Sequence, residues 1–255
     1  MSIDGIWVIK DLDLSLARGE FTAIVGPNGA GKTTFLRAIA GLEPSWGEIE
    51  LGGVPIDQLE PRTRARAVAY LPQGHLFHWP MPVLDVVALG RMPHMPGFGG
   101  LTDADREAIR DAMADTEINE LSERQVTSLS GGERARVALA RALAVTAPVL
   151  LADEPGTSLD PRHQLKMLQA LGHRAQEGVA VIAVLQDITQ AARFADRVLV
   201  MADGEFVADG PPQNVMSEDL LRRVFGVESI TTEQGGNTIA LPWSAVSDSS
   251  SRSNH

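Results

Sequence analysis

Gly26-Pro27-Asn28-Gly29-Ala30-Gly31-Lys32-Thr33 decides how this chain folds. An apolar run, Phe21-Thr22-Ala23-Ile24-Val25, precedes it and predicts a buried strand. Phe35 to Gly41 follows with helical spacing and a glycine stop. Strand, glycine loop and helix form the setting in which G-x-x-x-x-G-K-[ST] means phosphate binding. The glycines let successive backbone N–H groups turn inward as an anion nest, and the helix N-terminus adds partial positive charge. Lys32 is then expected to reach the β and γ phosphates of a nucleotide, and the Thr33 hydroxyl to hold Mg2+. The competing reading is a chance glycine turn between strand and helix.

Composition narrows the classes. The chain has 255 residues and 44% apolar content, enough for one large domain or two small ones. The net charge of −11 disfavours general nucleic-acid binding, and no nucleic-acid partner is expected. Cysteine is absent, which excludes disulfides and thiolate chemistry and fits a reducing cytosol. No apolar run approaches the ~18 residues of a membrane span. Met1 to Gly5 has no basic segment leading into an apolar stretch, so no secretory signal is expected.

Upstream of the loop, residues 6–9 and 12–16 predict short antiparallel strands, with Arg18-Gly19-Glu20 as the turn into the strand before the loop. Gly47 to Gly53 predicts a hairpin, and Val68 to Gln73 a buried strand ending at a polar residue. From Pro82 to about Ala147 the period turns helical. Val83 to Leu89 is one helix, stopped near Gly90, and Gly97-Phe98-Gly99-Gly100 is a loop. Thr102 with Asp105 three residues on makes an acidic capping box, and helix resumes after Ser130. Strands return at 149–152, 179–185 and 198–201 as continuous apolar runs, the pattern of parallel strands covered on both faces. Between them, residues 161–176 and 187–195 predict helices. The simplest architecture is one α/β core with a helical insertion at about 74–147. Residues 244–255 are low-complexity and expected to be disordered, and no internal repeat is present.

Two further motifs carry chemistry. Val149-Leu150-Leu151-Ala152-Asp153-Glu154 is an apolar strand ending in two carboxylates. In a P-loop protein such an Asp ligates Mg2+ directly or through water, and Glu154 would lie where it could polarise an attacking water. An acidic strand-to-turn junction before Pro155-Gly156 is the plainer alternative. Leu129-Ser130-Gly131-Gly132-Glu133 opens a helix with Ser130 at the N-cap. It is either an ordinary capped helix or a second phosphate-binding terminus, using the Ser130 hydroxyl and the Gly131 and Gly132 amides. One nucleotide per chain does not need two such sites. A head-to-tail dimer does, with each chain closing the other's nucleotide. His75 and His78 lack a third ligand, so no metal site is expected there.

In this order, GPNGAGKTT, Gln73, LSGGE, LLADEP and Ser158-Leu159-Asp160 resemble the ATP-binding-cassette ATPases over roughly residues 5–228. The resemblance implies a P-loop NTPase core with an antiparallel β subdomain and a helical insertion. It implies ATP and Mg2+ at Gly26, Pro27, Asn28, Gly29, Ala30, Gly31, Lys32, Thr33 and Thr34. It implies that Gln73 senses the γ-phosphate through Mg2+ and faces a transport subunit. Ser130, Gly131, Gly132 and Glu133 would contact the ATP of the partner chain. Asp153 would hold the metal, Glu154 act as general base, and Asp160 communicate across the dimer. Leu71-Pro72-Gln73, followed by Val86 to His94 (VVALGRMPH), is similar to the ATPase subunits of iron-chelate, haem and vitamin B12 importers.

The chain also departs from that pattern. Gln186-Asp187 stands where the family has His-Asp. A glutamine amide donates a hydrogen bond but cannot take up a proton, so Gln186 is expected to lower turnover and leave ATP binding intact. The aromatic residue that stacks on adenine would fall near Met1 to Ile3, where none is present, and Trp7 comes about four residues late. Adenine stacking is therefore expected to be weak, or the start to lie upstream. Gly156-Thr157 replaces a commoner Thr-Ser.

The resulting expectation is an ATPase domain at 1–230 and a C-terminal extension at 231–255. It serves an importer of a metal chelate such as iron-siderophore, haem or cobalamin. Its partners are a second copy, two transmembrane permease subunits and, indirectly, a substrate-binding protein, at the cytoplasmic face of the inner membrane. The alternatives are a nucleotide-binding regulator with reduced catalysis and the ATPase of an exporter. A chromosome or repair ATPase would place a long coiled coil between Gln73 and Ser130, which are only 57 positions apart here and carry no sustained heptads.

Overall fold

The computed structural model describes residues 2–3, 6–7, 9, 12–45, 47–74, 77–95, 100–157, 159–235 and 237–246. Two short strands, β1 (Ser2–Ile3) and β2 (Ile6–Trp7), pair antiparallel and lead to β3 (Phe21–Val25), whose residues are all buried. Helix α1 (Lys32–Ile39) follows the glycine loop. A small hairpin, β4 (Glu50–Leu51) and β5 (Val54–Pro55), precedes α2 (Pro61–Ala67) and β6 (Val68–Leu71). The helical part contains α3 (Val83–Ala88), α4 (Asp103–Asp115) and α5 (Gly131–Leu143). The chain then alternates: β7 (Val149–Asp153), α6 (Pro161–Gln176), β8 (Ala180–Val184), α7 (Ile188–Phe194), β9 (Arg197–Ala202). It closes with β10 (Glu205–Gly210), α8 (Pro212–Val215), α9 (Glu218–Phe225), β11 (Val227–Gln234) and β12 (Asn237–Ala245).

The main sheet has the order β10-β9-β3-β8-β7-β6. Its pairings are parallel except for the edge strand β10, which runs antiparallel to β9. Alternation along each strand divides the core between two faces. Ile24, Leu151, Ile182, Val184, Leu199 and Met201 meet Phe35 and Leu36 of α1 on one face. Ala23, Val25, Val181, Ala183, Val198 and Val200 belong to the other, larger cluster, with residues of α5, α6 and α7. This is the mixed α/β architecture of a P-loop cassette, with small antiparallel sheets beside the parallel one.

Where local signals were strong, the elements follow them closely. Helix α6 occupies the expected residues, and Thr102 and Asp105 form the expected reciprocal cap. Four regions differ. Residues 12–17 carry no strand, although Leu12, Leu14 and Leu16 pack against the α1-side core. Alternation there reports a half-buried extended chain, but no neighbour among the described residues pairs with it. The hairpin strands run from Glu50 to Pro55, past the 47–53 span, and turn at Gly52 (φ 59°) and Gly53 (φ 80°), because consecutive positive-φ residues suit a two-residue turn. Helix α2 had no counterpart in the sequence reading, which likewise assigned no element to β10, α8, α9, β11 or β12.

At the C-terminus, the expected boundary at residue 230 falls inside β11, and Ser244 and Ala245 lie in β12 rather than in a disordered tail. Packing explains this: Ala240 is buried, Thr189 Oγ1 donates to Ala240 O at 2.7 Å, and Thr231 Oγ1 donates to Met216 O at 3.0 Å. Residues 247–255 lie outside the described residues, as do His75, Ser158, Gly97-Phe98-Gly99 and the Met1 position of the adenine question.

The importer-like stretch Val86 to His94 has a packing role in the helical part. A Cβ on Gly90 would lie 2.3 Å from Arg141 O, so only glycine lets α3 end against α5. Arg91 is buried, with Nε 2.8 Å from Asp105 Oδ1 and Nη1 donating to Ala144 O (2.6 Å) and Thr146 Oγ1 (2.9 Å). Asp105 in turn caps α4. Its carboxyl is held well below the usual range by the Thr102 hydroxyl first and by Arg91. One guanidinium thus ties the start of α4 to the carbonyl end of α5.

Removing one partner of a buried pair leaves a desolvated charge. Arg91→Met is expected to cost about 3–5 kcal/mol of stability, read as a lower urea midpoint. Adding Asp105→Leu should recover part of the loss.

Candidate functional site

The glycine loop begins where β3 crowds β9. A Cβ at Gly26 would stand 2.0 Å from Met201 O, so the loop can leave the sheet only through glycine. Gly29 (φ 82°) and Gly31 (φ 101°) take left-handed backbone that other residues adopt at a cost. Gly31 is the N-cap of α1, no side chain caps that terminus, and no acidic residue lies in the first turn. The first amides of α1 therefore remain available to an anion. Lys32 is buried, and its ammonium donates to Gly26 O at 2.7 Å and Pro27 O at 2.8 Å. Burial pushes its pKa down, against the opposing pull of Glu154 and Asp153. A positive group inside an uncapped helix terminus fits a polyphosphate.

Asp153 ends β7 with no exposed surface. Thr33 Oγ1 donates to its Oδ1 at 3.1 Å, and the Tyr70 hydroxyl to its Oδ2 at 3.4 Å. Burial raises the Asp153 pKa; the Thr33 hydroxyl opposes that shift and the Glu154 charge adds to it. Burial, followed by the Asp153 charge, pushes the Tyr70 phenol up to about 12. One carboxylate beside one hydroxyl is the hard-oxygen set that suits Mg2+ shared with substrate phosphates. Among the described residues no three His, Cys, Asp or Glu converge into a separate metal cage.

Glu154 leaves the strand in left-handed backbone (φ 48°), with its N–H on Val184 O at 3.2 Å. Its Oε2 accepts from Gln73 Nε2 at 2.6 Å, Gln186 Nε2 at 2.6 Å and Thr157 Oγ1 at 3.3 Å. The sheet order makes this convergence: Gln73 follows β6, Glu154 follows β7 and Gln186 follows β8, three adjacent parallel strands. Gln73 touches the Glu154 carboxylate rather than Thr33 or Asp153.

The signature residues stand apart. Ser130 Oγ accepts from Glu133 N at 3.2 Å, and Glu133 Oε2 accepts from Ser130 N at 2.8 Å, so both close a capping box on α5. A Cβ on Gly131 would meet nothing within 4 Å. Asp160 caps α6 and accepts from His163 N at 3.1 Å, with His163 Nδ1 2.6 Å from its other oxygen. Among the described residues, no hydrogen bond joins Ser130–Glu133 or Asp160 to the residues around Lys32. Sequence reading missed Tyr70 and gave Thr157 no task. The available signals were a phenol in an apolar strand three positions before Gln73, and a hydroxyl three positions after Glu154.

The raised pKa of Asp153 has a definite sign. A carboxyl that the fold pushes upward contributes less stability once pH rises above its folded pKa. Asp153→Asn is therefore expected to raise the nucleotide-free melting temperature at pH 7.5. The gain should shrink as pH falls and wild-type Asp153 takes up its proton, which its raised pKa places above the ordinary carboxylate range. Differential scanning fluorimetry against pH measures both effects.

A family model described as ABC transporter matches residues 9–157. The hemin import ATP-binding protein HmuV of Nocardia farcinica is 44% identical over 238 residues, covering 92% of this chain and 82% of the relative. The cobalamin import ATP-binding protein BtuD of Halobacterium salinarum is 41% identical over 227 residues, covering 88% of this chain and 56% of the relative. Among solved structures, the ATP-binding cassette MJ0796 in a dimeric post-hydrolysis state bound to ADP and Pi is 29% identical. It superposes with a TM-score of 0.72 over 81% of this chain and 91% of its own. The glycine loop, the paired strand-end carboxylates and the separated LSGGE helix thus have their explanation: this chain belongs to the ABC transporter family and is an ATP-binding, ATP-hydrolysing cassette.

Proposed function

We propose that the chain is the ATPase subunit of an importer for a metal chelate such as haem, cobalamin or an iron-siderophore complex. The relatives named for hemin and cobalamin import support this class. Two copies would pair head to tail, each covering the other's ATP with Ser130, Gly131, Gly132 and Glu133, while Asp160 lies at the shared face. Two transmembrane permease subunits would hold the pair at the cytoplasmic face of the membrane, and a substrate-binding protein would deliver cargo from the other side. Among the described residues no helix is long and apolar enough to cross a membrane.

The observation that carries the catalytic reading is the Glu154 carboxylate, fixed beside Asp153 and held by the amides of Gln73 and Gln186. The backbone from Gly26 to Thr34 would cradle the phosphates, and Lys32 would turn from the loop carbonyls toward the β and γ phosphates. Thr33, Asp153 and Gln73 would hold Mg2+, which when bound neutralises charge developing on the phosphoryl oxygens. Glu154 would accept the proton of the attacking water. Gln186 keeps Glu154 oriented through a neutral donor and carries no charge of its own to the phosphate.

Two measurements of steady-state ATPase activity check this. Glu154→Gln is expected to lower kcat about 100-fold or more with ATP binding retained, the effect of losing a general base. Activity at the wild-type level would remove Glu154 from that role. Gln186→His is expected to raise kcat several-fold and to add a pH-dependent limb near the imidazole range of about 6.5. An unchanged rate would contradict the assigned effect of the glutamine.

A further inference from the structure

We propose that Thr157 is a positioning residue for Glu154, a role that rests on Glu154 being the general base. Thr157 Oγ1 lies 3.1 Å from Glu154 O and 3.3 Å from Glu154 Oε2, so its single proton is shared in a bifurcated bond between the backbone and the carboxylate of the same residue. The Thr157 N–H also points to Glu154 O, at 3.4 Å. Glutamate is long and loses much rotamer freedom when ordered, so an anchor close to its own backbone restricts it effectively.

The three donors to this carboxylate differ in where they come from. Gln73 and Gln186 reach it from the ends of β6 and β8, 81 and 32 positions away. Thr157 belongs to the same turn and moves with Glu154. That turn is pinned from outside: Gln164 Nε2 donates to Gly156 O at 3.0 Å, and Leu159, whose N–H also bonds Gly156 O at 3.1 Å, is buried. Among the described residues, every hydrogen bond to the carboxylate falls on Oε2 and none on Oε1. The arrangement divides the work between the two oxygens. Oε2 is the anchored atom, and Oε1 keeps its lone pairs for the proton of the attacking water. Thr157 is the donor that sustains this division whichever way the two glutamines turn.

The test compares Thr157→Val, which keeps the shape and removes the donor, with Thr157→Ser, which keeps the donor. Both are made in the full chain and assayed for steady-state hydrolysis and for binding of a fluorescent ATP analogue. Thr157→Val is expected to lower kcat about five- to tenfold, the effect of one lost hydrogen bond. The KM for ATP and the analogue affinity should stay within about twofold, because an interaction used only in the transition state moves kcat alone. Thr157→Ser should stay within about twofold of wild type in kcat. Wild-type turnover in Thr157→Val overturns the proposal, and so does a Thr157→Ser variant as slow as Thr157→Val. If Thr157→Val fails to give a cooperative melt, Thr157→Ala against Thr157→Ser makes the same comparison. Glu154→Gln in the same assay separates the two claims. Activity in Glu154→Gln removes the base itself. An inactive Glu154→Gln beside a fully active Thr157→Val removes only the role of Thr157.

Discussion

Strands buried on both faces can offer polar chemistry only at their ends, and the site follows from that constraint. Within β3, β7 and β8, burial admits almost nothing but apolar side chains; Thr22 is the exception in β3 and Asp153 sits at the final position of β7. Parallel pairing sets the C-terminal ends of β6, β7, β8 and β3 along one edge, where the crevice of an open α/β sheet forms. Gln73, Glu154 and Gln186 are the first polar side chains past the ends of β6, β7 and β8, and Lys32 closes the glycine loop that follows β3. The close approach of Gly26 to Met201 fixes where the loop turns away and therefore where Lys32 stands.

The same edge carries the features that cost stability. Asp153 is a buried carboxylate, Lys32 a buried ammonium and Glu154 a non-glycine residue in left-handed backbone. Each is unfavourable alone, by desolvation or by steric strain. Together they are partly compensated, since Lys32 lies near both carboxylates and Thr33 and Tyr70 donate to Asp153. Their concentration at one end of an otherwise apolar sheet marks it as the functional end. The helical part handles its buried charge differently. Arg91 pairs with Asp105 at the start of α4 and donates to Ala144 O and Thr146 Oγ1 past the end of α5, so the pair ties these elements together. A stretch similar to importer ATPases is thus, in part, the packing code of the helical part.

Much was legible before any coordinates, because some signals are local. Residues 26–33 declare themselves through glycine spacing, and the capping boxes at Thr102 and Ser130 through residues three positions apart. Buried strands show as unbroken apolar runs. Weak signals failed for equally local reasons. Residues 12–17 alternate without a partner strand, and the end of β12 reads as a disordered tail until β11 is there to pair with it.

By itself, then, the sequence determined the glycine loop, the buried strands and most helices of the α/β core, and the inventory of chemical groups, since backbone preference and burial leave a periodic trace in neighbouring residues. Tertiary structure decided which groups meet. Gln73 and Gln186 converge on one oxygen of Glu154 because three strands lie side by side, and strand order leaves no trace in local periodicity. It also set Ser130 and Asp160 in the caps of their own helices, and among the described residues no hydrogen bond joins them to the residues around Lys32.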